Sequence, residues 1–224
     1  MRGTVSLMLP ISLGFGPTRP LKILCLGAHC DDIEIGCGGT VLKLLDDYLG
    51  SSVTWVVFSG SEEREREARA SAGDFLTTAA KSTIVVHHNR ESYFPHAGVE
   101  IKDSFEVLKR SIDPDIVFSH HRHDLHQDHR TIAELTWNTF RNHLIAEYEI
   151  PKYEGDLGKP NLYVALTRAR ATRKVELLQR HFVSQASRTW FRAETFHGLM
   201  SLRAIECNAD EGQAEAFHAR KLVL

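Results

Sequence analysis

From residue 21 onward, short apolar runs alternate with longer amphipathic stretches. The runs predict buried strands, because a strand covered on both faces has no polar face. The stretches predict helices, because their apolar positions recur at helical spacing. The predicted strands cover residues 21–26, 53–58, 82–86, 115–119 and 162–166, and the predicted helices cover residues 36–45, 62–78, 99–112, 129–146 and 172–181. This alternation predicts an α/β, Rossmann-like three-layer domain with a mainly parallel sheet.

The pattern also predicts how the chain is divided. Prolines and glycines interrupt the apolar stretch within residues 1–20, and no A-x-A cleavage site follows, so we expect an irregular N-terminal arm rather than a signal peptide. Residues 21–224 are expected to form a single domain. A polar, turn-rich connector at residues 151–160 begins a C-terminal extension that we expect to wall the pocket.

Composition excludes several classes of protein. Hydrophobic residues at 42% and charged residues at 25% are typical of a soluble globular domain. Lys and Arg (27) nearly balance Asp and Glu (29), so neither nucleic acid nor an anionic membrane is predicted as a partner. No stretch approaches the roughly 20 apolar residues of a membrane span. Four cysteines, unevenly spaced, do not form a disulfide framework and favour a reducing compartment, the cytoplasm.

Two loops carry unusual chemistry, and both follow predicted strands. His29, Asp31 and Asp32 come after the first strand, and five of the 13 histidines lie between His120 and His129 after the fourth. Ligands collect at the carboxyl ends of parallel strands, so the loops would face one another if these strands are neighbours. The acids and the lack of G-x-G-x-x-G disfavour a dinucleotide site. Two ligands from the first loop and one from the second would suit a catalytic zinc ion.

Each loop by itself has a simpler interpretation. An Asp-Asp pair is commonly a cap at a helix start, and a histidine cluster is commonly a surface feature. His120, His121 and His123 are candidates to line the pocket but are equally typical of an exposed loop. The occurrence of both features at the ends of buried strands favours a joint metal site.

These residues resemble a known family. Ala28-His29-Cys30-Asp31-Asp32, the glycines at positions 36, 38 and 39, and Asp124-x-His126-x-Asp128-His129 are similar to the motifs of the PIG-L/LmbE-like zinc-dependent N-deacetylases. Weaker matches are Arg64-x-x-Glu67-Ala68, Lys174 and His181-x-x-Ser184-Gln185. The resemblance spans about residues 21–185 and implies a Rossmann-like fold.

The resemblance also implies a role for each site residue. The implied zinc ligands are His29, Asp32 and His129, and Asp31 is the implied general base. His126 would stabilise the oxyanion and protonate the departing amine, while Asp128 would orient the ring of His126. Arg64 is similar to an arginine that binds substrate or holds a loop.

Three positions depart from the family pattern. Cys30 stands where the family usually has proline, so a thiolate there would compete as a zinc ligand. Ile33 stands where many members have glutamate, and Glu34 follows it. Asp124 occupies the position at which some members have a tyrosine, so a tyrosyl oxyanion donor does not carry over.

The implied function is zinc-dependent hydrolysis of an N-acetyl group from an amino sugar or its conjugate, giving acetate and a free amine. The implied substrate is a small molecule, and a homo-oligomer is possible in this family. Two alternatives remain open: a zinc amidase acting on a larger conjugate, and a metal-bearing sugar-binding module without turnover. The presence of both a base and an acid candidate favours an enzyme. Tyr93, Phe94, Trp190 and Phe191 are candidates to stack on a sugar face, although aromatic residues more often pack in cores.

Overall fold

A computed structural model describes residues 19–222. The predicted N-terminal arm, residues 1–20, therefore lies outside the described residues except for its last two, and the division into arm and domain stays a prediction. The described chain forms seven strands and six α-helices. Their order is β1 (Lys22–Gly27), α1 (Asp32–Asp47), β2 (Ser52–Val57), α2 (Glu62–Phe75), β3 (Lys81–Val86), α3 (Gly98–Ser111), β4 (Ile116–His120), α4 (Gln127–Thr139), β5 (Leu144–Tyr148), β6 (Leu162–Ala165), α5 (Arg168–His181), α6 (Ala193–Cys207) and β7 (Ala214–His218).

All seven strands form one sheet in the order β3-β2-β1-β4-β5-β7-β6. The strands β1 to β5 are parallel, whereas β7 runs antiparallel to both of its neighbours. A hydrophobic core lies on each face: α1, α2, α5 and α6 contribute to one core, and α3 and α4 contribute to the other. The predicted three-layer α/β fold with a mainly parallel sheet is confirmed.

The prediction of one helix over residues 129–146 is wrong. The helix α4 ends at Thr139, and residues 144–148 form the buried strand β5, which pairs with β4. The sequence of this segment predicts a helix because Leu, Ala and Glu favour helices. Pairing with a central strand and burial of Tyr148 outweigh this helix preference. The first helix also begins at Asp32, four residues earlier than predicted.

The C-terminal extension completes the sheet. The strand β7 inserts between β5 and β6, and α5 and α6 cover the face that also carries α1. A buried ion pair, between Lys174 Nζ and Glu215 Oε1 at 2.6 Å, joins α5 to β7. Glu215 also accepts hydrogen bonds from the backbone N–H groups of Gly39 and Thr40, so the extension is tied to α1. None of the helices in residues 19–222 has both the length and the apolar character needed to cross a bilayer.

Candidate active site

The two loops meet because the strands that precede them are adjacent. Strand β1 pairs in parallel with β4, with Cys25 opposite Phe118, so both strands end at the same edge of the sheet. A hydrogen bond from the Ala28 backbone N–H to His120 Nε2, at 2.9 Å, joins the two loops. Residues that lie about 100 positions apart along the chain therefore surround one point.

The three predicted ligands lie at distances suited to a metal ion. His29 Nδ1 is 3.1 Å from His129 Nε2 and 3.4 Å from Asp32 Oδ2, and His129 Nε2 is 3.5 Å from Asp32 Oδ1. Tetrahedral zinc with bonds of about 2.0–2.1 Å separates its ligand atoms by about 3.3 Å. Two overlapping triads share His129, one with His29 and His126 and one with Asp32 and His120; within each, the ligand atoms lie within 4.8 Å of one another.

Each of the two candidate ligand histidines has a carboxylate next to its second ring nitrogen. Asp128 Oδ2 lies 3.2 Å from His29 Nε2, and Asp124 Oδ2 lies 2.9 Å from His129 Nδ1. Both carboxylates are buried. Metal-binding histidines usually donate their second ring N–H to a carboxylate or a carbonyl, which orients the ring. The surroundings of both rings therefore fit a metal centre.

The charges at this point also suit a cation. Burial alone would lower the pKa of His29, but Asp32 and Asp128 outweigh it and raise that pKa to about 10. Burial likewise opposes ionisation of Asp32, yet His129 and His120 hold the pKa of Asp32 well below its usual range. The acids thus stabilise positive charge on the imidazoles, and a divalent cation would supply that charge instead. The donor set, nitrogen and carboxylate oxygen, is typical of zinc.

Asp31 lies beside these residues, and its two carboxylate oxygens differ in their contacts. Its Oδ1 forms an ion pair with Arg64 Nη2 at 2.9 Å, whereas its buried Oδ2 has no hydrogen-bond partner among residues 19–222. Burial raises the pKa of Asp31, although Arg64 opposes this shift. Arg64 Nη1 also donates to Ser184 Oγ at 3.0 Å, so Arg64 links the base candidate to the C-terminal extension. These contacts favour the loop-holding alternative over the substrate-binding one.

His126 caps the N-terminus of α4. Its Nδ1 accepts the backbone N–H of Asp128 at 3.2 Å, so a neutral ring carries its proton on Nε2. Burial and the neighbouring His129 lower the pKa of His126. The expectation that Asp128 orients this ring differs from the structure: the Asp128 carboxylate contacts His29, and only its backbone N–H contacts His126.

Two residues make contacts near the centre of the site that the sequence did not predict. His120 is fully buried, stacks on His129 with ring centroids 3.9 Å apart, and places Nε2 3.1 Å from Asp32 Oδ2. The signal for this role in the sequence was the position of His120 at the end of β4. Lys152 Nζ lies 3.0 Å from Asp124 Oδ2, and nothing in the local sequence pointed to it. Lys152 belongs to the connector, so the C-terminal extension reaches the site here too.

The side chains of the remaining sequence candidates are held by other contacts. The Cys30 thiol donates to the Ser59 carbonyl at 3.2 Å, and burial raises its pKa to about 12, which disfavours the thiolate that would compete for the metal. Phe94 and Phe191 are buried in the two cores and do not present a face to substrate, whereas Tyr93 is exposed. His121 is held by Glu147.

Comparisons with known proteins identify the family of the chain. The model of the PIG-L family, described as GlcNAc-PI de-N-acetylase, matches residues 24–140, which include both loops. The chain is 27% identical over 173 residues to the uncharacterized deacetylase YaiS of Escherichia coli strain K12, an alignment that covers 71% of this chain and 89% of the relative.

Solved structures share the fold. N,N'-diacetylchitobiose deacetylase from Pyrococcus horikoshii superposes with a TM-score of 0.68 and 21% identity, over 89% of this chain and 83% of the other. GalB, a 4-carboxy-2-hydroxymuconate hydratase from Pseudomonas putida KT2440, gives a TM-score of 0.67 and 14% identity, over 91% and 98%. A deacetylase and a hydratase thus share this fold, so the reaction must be argued from the residues. The family match, in contrast, covers both motif loops and more than half of the chain. The chain therefore belongs to the PIG-L family.

Proposed function

We propose that the protein is a zinc-dependent hydrolase that removes the acetyl group from an N-acetylated amino sugar or its conjugate and releases acetate and a free amine. The observation that carries the proposal is the set of 3.1–3.5 Å separations among ligand atoms of His29, Asp32 and His129, with Asp31 and His126 beside them. The family description, a de-N-acetylase, supports the reaction class. The similarity to a diacetylchitobiose deacetylase supports an amino-sugar substrate.

His29, Asp32 and His129 would hold the zinc ion. When bound, zinc polarises the amide carbonyl and lowers the pKa of a water molecule at the centre to about 7. The donor set provides three protein ligands and leaves a position for that water, which is the usual arrangement of catalytic zinc.

Asp31 and His126 supply the proton transfers. Asp31 Oδ2 accepts a proton from the attacking water, because Arg64 holds the other oxygen and leaves Oδ2 without a protein partner. His126 Nε2–H donates a hydrogen bond to the negative charge that develops on the carbonyl oxygen, and the proton that Asp31 took from the water passes to the departing nitrogen. The C–N bond breaks, the water oxygen stays with the acetyl carbon, and acetate and amine leave. Arg64 positions Asp31, and the backbone N–H of Asp128 positions the ring of His126.

The proposal includes a small-molecule substrate and a cytoplasmic location. All four cysteines are free, which supports a reducing compartment. The homo-oligomer implied by the family resemblance stays a prediction.

The test measures zinc content and acetate release together. Wild type should hold about one zinc ion per chain, and Asp32→Ala should lose it, because the variant lacks one of the proposed ligands. Asp31→Asn should keep zinc while acetate release from N-acetylated amino sugars falls by about 10²–10⁴-fold. Asp103→Asn, the same change at an exposed position on α3, should match wild type in both measurements.

Three outcomes contradict the proposal in different ways. Asp31→Asn with wild-type turnover would remove Asp31 as the base. Cleavage of a larger amide conjugate without acetate release would favour a zinc amidase. Saturable binding of amino sugars by zinc-loaded protein without turnover would favour a binding module.

A further inference from the structure

Residue 92 in the loop after β3 has an unusual backbone conformation. Ser92 has a φ of 66°, a left-handed value that a residue with a side chain adopts only at a cost. Within residues 19–222, the other non-glycine residue with positive φ is Asn208, where the left-handed conformation ends helix α6. Ser92 ends no helix, so contacts around it must hold the strained conformation.

Those contacts converge on one buried carboxylate. The Ser92 N–H donates to Asp128 Oδ2 at 2.6 Å, and the Phe94 N–H donates to Asp128 Oδ1 at 3.2 Å. The side chain of Gln127 donates to the Ser92 carbonyl at 2.5 Å, which fixes the loop against the start of α4. Alternate backbone N–H groups that converge in this way form a concave anion site, and here the anion is a side chain of the same protein.

The same carboxylate contacts His29. Asp128 Oδ2 lies 3.2 Å from His29 Nε2, on the side of the ring opposite to Nδ1, which lies 3.1 Å from His129 Nε2. A carboxylate acceptor at Nε2 keeps a proton there, so the lone pair of Nδ1 is the one available to a metal ion. Asp128 is buried and bound on both oxygens, so its position, and hence the orientation of the ring, depends on residues 92 and 94.

We propose that residues 92–94 form a clamp that positions the metal ligand His29 through the Asp128 carboxylate. The inference rests on the proposed function in taking zinc as the ion. It makes Asp128 a positioning residue for a metal ligand, in place of the role towards His126 that the family resemblance implied. Ser92 acts through its backbone alone, so its φ and its N–H matter and its hydroxyl does not.

The test is zinc affinity, measured by competition with a chelator and starting from zinc-free protein. Ser92→Val places a β-branched residue at positive φ and should weaken zinc binding by about 10–100-fold, the range seen when partners of ligand histidines are removed. Asp128→Asn should weaken it by a similar factor. Ser92→Gly keeps both φ and the N–H and should bind zinc within about twofold of wild type. Asn208→Val, the same strain at the end of α6, should lower the unfolding temperature and leave zinc affinity unchanged.

Zinc affinity of Ser92→Val equal to that of wild type would overturn the inference, as would an equal loss in Asn208→Val. If Ser92→Val does not fold, the Asp128→Asn variant decides the question. A zinc affinity of Asp128→Asn equal to that of wild type would by itself overturn the inference. Wild type that binds zinc and releases no acetate would overturn the proposed function and leave the zinc comparison valid. Wild type that takes up no zinc would overturn both.

Discussion

Gly36 offers the sharpest test of how α1 is packed, because a single added methyl group meets an immovable ring. A Cβ at this position would lie well inside contact distance of Tyr148 Cδ2 and Cγ, and only 2.9 Å from Cε2. The ring is fully buried, and its hydroxyl donates to the Leu26 carbonyl at 2.6 Å, so it has no free space to turn into. In Gly36→Ala, α1 must therefore move away from β5.

The size of the effect follows from two opposing contributions. Overpacking a core costs about 1–3 kcal/mol, and we expect the upper end because neither partner yields. Replacing a helical glycine by alanine returns about 1 kcal/mol. The net loss is about 2 kcal/mol, or about 4–8 °C in the unfolding temperature for a chain of this size. A Cβ at Gly73 on α2 would meet no neighbouring atom of residues 19–222 within 4 Å. Gly73→Ala should therefore show only the gain in stability from the better helix former.

The assay is thermal and urea unfolding of both variants and wild type in a chelating buffer, which removes any contribution from bound metal. Gly36→Ala should lose stability while Gly73→Ala gains it. Because α1 begins at Asp32, Gly36→Ala should also bind zinc more weakly than Gly73→Ala. An equal gain in stability for both variants would refute the close contact between α1 and Tyr148.

Three further predictions concern separate features. Cys30→Ala should keep zinc affinity within about twofold of wild type in chelator competition, because the Cys30 thiol donates to the Ser59 carbonyl and burial raises its pKa; a tenfold loss would show thiolate coordination. Lys174→Met should destabilise the protein to urea by about 3–5 kcal/mol, because it leaves the buried Glu215 without its ion pair, while Lys174→Met/Glu215→Leu should lose less; an equal loss would contradict this. Burial, assisted by His121, lowers the pKa of His218 to about 4. The ring therefore binds a proton on unfolding between about pH 6.5 and 4, and stability falls as pH falls through that window. His218→Phe should lose less stability than wild type between pH 7 and 5 in urea unfolding; an identical loss would contradict the shift.

Residue pattern was sufficient for the α/β class and for five of the seven described strands. The strands in the first half of the chain were predicted from apolar runs, and the helices from periodic apolar positions. Both patterns are visible in the sequence because burial on one or two faces acts on each residue locally. Asp31, Asp32 and His129 could be assigned to one site because parallel strands deliver the loops that follow them to one edge of a sheet. Strand β5 and the insertion of β7 were not predicted, because their residues also suit helices or loops, and pairing partners decided between these alternatives.

The sequence by itself determined which side chains are candidates for the chemistry, since His29, the two aspartates and the histidines of the second loop are unusual at any position of a buried α/β domain. Only the tertiary structure decided what each side chain contacts. Asp128 contacts His29, 99 residues away, and its carboxylate is held by the backbone of Ser92, 36 residues away. Burial inside the same packing keeps the Cys30 thiol protonated. Residue identity and periodicity are local properties of the chain, whereas partners, burial and proton positions depend on how distant segments pack together.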